Sequence, residues 1–112
     1  MRQRRFPRIQ LDSKAFIKTA NKSFSADAVN LSIHGTFIKT HEHIASGTPV
    51  EVDIKVPCAS HSPFLLINGV VARVENSGIV IEFTRMDPDV FQCLNNVVQR
   101  RSTHRLKPYM AP

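Results

Sequence analysis

Val50-Glu51-Val52-Asp53-Ile54-Lys55-Val56 alternates apolar and charged residues without a break. A strand turns successive side chains to opposite faces, so this stretch predicts a strand with Val50, Val52, Ile54 and Val56 buried and the charged residues in water. An antiparallel sheet with one covered face gives that pattern. Towards the C-terminus, residues 57–63 read as a loop by composition, and Phe64 to Val74 as a long strand in which Gly69 marks a bulge or bend. Asn76-Ser77-Gly78 turns the chain, and Ile79, Ile81 and Phe83 form the inward face of the next strand.

Upstream, Thr40 to Thr48 reads as a loop, preceded by a short strand from Thr36 to Lys39. Earlier still, strands are expected over about Ile9–Ile17 and Phe24–Leu31, joined by a turn at residues 19–22. After the sixth strand the period changes. Asp87-Pro88 supplies an N-cap and a proline at the first helical position. Val90, Phe91, Leu94, Val97 and Val98 then form one apolar stripe, predicting a helix over about Pro88–Arg101 that covers an end or side of the sheet. Six strands and one helix give a mainly β fold, a six-stranded antiparallel β-barrel with a C-terminal α-helix. At 112 residues the chain is one domain with no room for a second lobe.

The net charge of +6 is unevenly placed. Residues 1–8 carry four arginines, and residues 100–107 carry Arg100, Arg101, Arg105 and Lys107. The remaining 7 of 15 basic residues share 9–99 with all nine acidic ones. The chain is therefore read as a flexible Arg-rich arm (1–8), a barrel with its helix (9–101), and a disordered basic tail (102–112). A general nucleic-acid binder more often spreads its charge over a face of the fold. No apolar run reaches the roughly 20 residues of a membrane span, and the N-terminus lacks the apolar stretch of a signal peptide, so membrane insertion is not expected and a cytoplasmic location is. Cys58 and Cys93 sit at no metal-ligand spacing and are read as reduced thiols. His41 and His43 lack a third ligand, so no metal is expected, and no arrangement of residues points to an enzyme.

Two short constellations carry chemistry. Arg4-Arg5-Phe6-Pro7-Arg8 precedes the first strand, with Arg4 and Arg8 spaced R-x-x-x-R. Asn30-Leu31-Ser32-Ile33-His34-Gly35 ends the second strand as N-x-S-x-x-G. The guanidinium fork can grip a phosphate or the O6/N7 edge of guanine with two hydrogen bonds, and can stack on a purine. Asn30 and Ser32, two apart, offer short polar groups on one face for a base edge. Gly35 lets the chain turn tightly, at positive φ in an ordinary hairpin reading, and brings backbone amides near a ligand.

In order and context these residues resemble the PilZ domain family. Arg4 and Arg8 match its first motif, Arg5 the extra arginine often beside it, and Asn30, Ser32 and Gly35 its second. The resemblance covers about Arg4 to Arg101, and Ser77 to Phe83 resembles the family's last strand. That strand commonly has a glycine where this chain has Val80, expected here to be a packing variation remote from both motifs. The resemblance implies a barrel that binds cyclic di-GMP, often as a stacked pair, and signals to a downstream protein as an adaptor without cofactor or catalysis. Its site residues would be Arg4, Arg5, Arg8, Asn30, Ser32 and Gly35, with Arg73 a further position that stacks on guanine. Two alternatives stand beside it: a PilZ-fold adaptor that binds protein without ligand, and a small nucleic-acid-binding barrel. The latter needs exposed aromatics interleaved with basic residues along the strands. The chain has only eight aromatics, and those on the strands mostly fall at inward-looking positions.

Overall fold

The computed structural model describes residues 8–56 and 64–106, without the side chains of 101–106. Arg4, Arg5, Cys58 and the tail from 107 lie outside the described residues. The elements are β1 (Ile9–Lys18), β2 (Ser23–Leu31), β3 (Gly35–Lys39), β4 (Pro49–Lys55), β5 (Phe64–Glu75), β6 (Gly78–Arg85) and α1 (Pro88–Leu106). The six strands close into an antiparallel barrel in the order β1-β2-β3-β6-β5-β4, the mainly β fold the alternation predicts.

The alternation of β4 carries through to burial. Val50, Val52 and Ile54 are buried, while Glu51 and Lys55 are exposed. A fully buried Val or Ile side chain contributes about 1.5–3 kcal/mol relative to an exposed one. A one-residue slip would turn the charged set inward, so the register with β5, Val52 opposite Ile67 and Ile54 opposite Leu65, is strongly specified. The same core takes Ala15 and Ile17 from β1, Ala28 and Leu31 from β2, Ile38 from β3, and Ile79 and Ile81 from β6. Gly69 does mark an irregularity: the β5–β6 register shifts between Asn68 and Gly69. A Cβ there would approach the Glu82 carbonyl oxygen to 2.7 Å.

β1 pairs with β4 only over Ala15–Lys18. The seam beyond is left open, and α1 packs against β1 and β5, the strands on either side of β4. Leu94, Val97 and Val98 are buried in the shared core, but Phe91 remains 43% exposed, off the stripe the sequence suggests. Cys93 packs against the core in its place. The helix also runs past Arg101, through Ser102 to Leu106, into what reads as disordered tail. Nothing between 102 and 106 breaks a helix, and the first proline beyond is Pro108. Cys93 is disulfide-bonded, which overturns the reading of both cysteines as reduced. Separation along the chain concealed this, because α1 folds back across strands far from it in sequence. Among the described residues no helix is long and apolar enough to cross a membrane.

Outside the barrel, Phe16 on β1 and Phe64 on β5 place their ring centroids 5.9 Å apart. Leu66, 54% exposed, extends them into a short apolar strip.

Candidate functional site

The β2–β3 pair slips by one residue between Ala28 and Asn30, so Val29 has no opposite number on β3. Such a bulge disrupts the ladder locally. Asn30 repairs it with its own side chain: the Phe37 N–H donates to Asn30 Oδ1 at 3.2 Å. Thr36 Oγ1 donates to the Asn30 carbonyl at 2.6 Å. Asn30 is thereby pinned by two neighbouring residues of β3, with its amide N–H groups left to point elsewhere.

Ser32 follows the end of β2 and shapes the turn. Its Oγ accepts from the backbone N–H of His34 at 3.1 Å and of Gly35 at 3.2 Å. Its own N–H donates to the Gly35 carbonyl at 2.9 Å. The hydroxyl is thus a turn-former of the kind serine favours. Gly35 is needed here for a different reason from the one its position in a turn suggests. It opens β3 without a positive φ; the one positive-φ glycine among the described residues is Gly47. A Cβ on Gly35 would collide with the Ile81 carbonyl oxygen on β6. Glycine lets β3 and β6 approach, and the Phe83 N–H closes the same corner by donating to the His34 carbonyl at 2.8 Å.

These residues floor a cavity of about 260 Å³ on the outer face of the barrel. Arg8, Asn30, Ser32 and Gly35, from both motifs, line it together. Arg73 joins them from β5, opposite Val80 in the register. Its Nε donates to Glu75 Oε2 at 2.8 Å in an exposed pair, a kind of contact that contributes little to stability. Arg4 and Arg5 lie outside the described residues.

Among the lining residues that the sequence reading did not assign to the site are Val80 and Glu82 of β6. Val80 is not remote from the motifs, as expected, but lies opposite Phe37 on β3 and Arg73 on β5. The cause is topological, since β6 closes the barrel between those two strands. The signal for Glu82 was available, because Ile79 and Ile81 face inward and Val80 and Glu82 must face out. Among the described residues no three His, Cys, Asp or Glu side chains are grouped to hold a metal, and Glu42 between the two histidines pairs with Lys22 at 3.1 Å. A larger hollow, about 610 Å³, runs past Lys18, Glu51, Asn68 and Arg85. It contains none of the motif residues, and Glu51 lies opposite Lys18, so it concentrates no single sign of charge. The smaller cavity carries the more specific chemistry.

Comparison with known proteins gives the family and the fold. The family model for the PilZ domain matches residues 2–100. No curated protein matches the sequence. Among solved structures, the chain is similar to the inhibitor of motility MotI/DgrA of Bacillus subtilis, with a TM-score of 0.78 at 17% identity over 94% of this chain. It spans only about half, 53%, of that protein. It is also similar to the PilZ domain of YcgR from Escherichia coli, solved with c-di-GMP, with a TM-score of 0.69 at 13% identity, covering 97% of this chain and 98% of that one. The PilZ domain of CeSA from a cellulose-synthesizing bacterium gives 0.65 at 15% identity, covering 84% and 96%.

Proposed function

The chain belongs to the PilZ domain family, and from that premise we propose that it is a receptor for cyclic di-GMP that orders its N-terminal arginine arm on the ligand and signals to a protein partner. PilZ domains are receptor and adaptor modules rather than enzymes. One observation carries the reading to this chain: Arg8 from the first motif and Asn30, Ser32 and Gly35 from the second line a single cavity.

The ligand is a dianion with two guanines. Arginines at the cavity match its phosphates and its O6/N7 edges with charge-assisted, two-pronged hydrogen bonds. Residues 1–8 hold four arginines and no acidic partner, so the ligand supplies the counter-charge the arm lacks. Fixing five residues costs about 1–2 kcal/mol each in backbone entropy. Three charge-assisted contacts return about 1.5–3 kcal/mol each. The two are of similar size, so the arm bearing Arg4 and Arg5, next to Arg8 at the cavity, orders only with ligand present, and the closed arm forms a new surface for the partner.

A ligand-independent protein-interaction role is the second reading, and the strip of exposed Phe16 and Leu66 with half-buried Phe64 favours it. One experiment separates them. Cyclic di-GMP, then its adenine analogue, is titrated into 15N-labelled protein while amide shifts and relaxation are followed. The receptor reading expects saturable shifts at Asn30–Gly35 and slowed motion at residues 4–8 with the guanine ligand, and binding weaker by about 1–3 kcal/mol per mismatched base with the adenine one. Absence of any shift leaves the adaptor reading. Binding without a change in the arm would make the arm a fixed wall and remove the switch.

A further inference from the structure

We propose that Glu82 reads the Watson–Crick edge of a guanine seated in the cavity, and so sets the base specificity of the site. This rests on the reading of the cavity as a cyclic di-GMP site and deepens it.

Glu82 alternates with buried Ile81 on β6, so its side chain faces outward. Its register partner on β3 is Gly35, which has no side chain. The carboxylate therefore stands beside a bare patch of backbone, in the cavity lined by Arg8, Asn30 and Arg73. Among the described residues it has no ion-pair partner; the Arg73 Nε is already engaged by Glu75. At about 260 Å³ the described part of the cavity is below the usual range for a whole drug-sized ligand, roughly 300–1,000 Å³, and suits one base better than a dinucleotide.

An exposed carboxylate in a site for a dianion repels the ligand unless the ligand offers it donors. Guanine does. Its N1–H and N2 amino group lie side by side, and an ionised carboxylate has two acceptor oxygens and no donor. Adenine presents an acceptor at N1, which the same carboxylate repels. Hypoxanthine keeps N1–H but lacks the amino group. A guanine held by arginine on its O6/N7 edge and by Glu82 on its other edge is read on both sides.

The test is calorimetry of wild type, Glu82→Gln and Glu82→Ala with cyclic di-GMP and with cyclic di-IMP, whose bases lack the N2 amino group. Melting curves verify that each variant is folded. Wild type should prefer cyclic di-GMP. Glu82→Ala should weaken cyclic di-GMP binding by about 5- to 150-fold, weaken cyclic di-IMP less, and so narrow the preference; Glu82→Gln, keeping one acceptor, should fall between. If Glu82 only adds negative charge near the phosphates, both variants bind both ligands as tightly as wild type or more tightly, and the proposal is overturned. Failure of wild type to bind either ligand overturns the receptor reading itself, and the role of Glu82 with it. Whether wild type binds therefore separates the two failures.

Discussion

On the floor of the cavity, Asn30 Oδ1 and Ser32 Oγ accept backbone N–H groups of the protein itself, and Gly35 is a point of contact between strands. At the rim, Arg8 and Glu82 make no ion pair among the described residues, and Arg73 makes only an exposed one. Both regions line the same space, but one is structure and the other is free chemistry. A motif can therefore be a binding motif because it builds the place where a ligand sits. Substitutions on the floor should move stability and affinity together, whereas substitutions at the rim should move affinity alone.

Gly35→Val is the harshest trial of that division. Its Cβ would collide with Ile81 backbone, forcing β3 and β6 apart and costing about 3 kcal/mol or more of stability, with binding lost as well. Unfolding in denaturant measures it, and a wild-type midpoint would mean that the floor is not held as described. Arg8→Ala tests the other side. Affinity for cyclic di-GMP should drop by about 1–3 kcal/mol, roughly 5- to 150-fold, while the melting temperature stays put. A matching loss of stability would move Arg8 from the rim into the fold. Ser32→Ala sharpens the boundary with the smallest effect: removing the acceptor for His34 and Gly35 should cost about 0.5–1.5 kcal/mol of stability. Affinity lost with stability intact would show that the hydroxyl serves the ligand instead.

How much of this was legible beforehand depended on whether the deciding contacts were local. Each strand declared itself through its own period, and Val50 to Val56 needed no partner to be read. The two motifs could be paired through their order and their resemblance. The reason for Gly35 could not be read, since a glycine in sequence does not distinguish positive φ from close approach; only its register against Glu82 does. Val80 and Glu82 became site residues through the same non-local pairing. The helix was read short because its expected end rested on the apolar stripe, which stops at Val98, although nothing in residues 102–106 breaks a helix. Cys93 was misjudged because no local spacing records what a helix packs against.

The closure of the barrel also has a history in time. β3 finds its second partner not in β4 but in β6, the last strand to be made. A chain emerging from the ribosome at about 5–20 residues per second must keep the free edge of β3 exposed for some seconds while residues 40–77 follow. Non-local pairing of this sort slows folding. The β3–β6 ladder that ends this wait is also the one that sets Glu82 beside Gly35. The cavity is therefore finished only when the barrel closes, and a ligand that takes it can hold shut only a barrel that has already closed, adding to its stability by mass action.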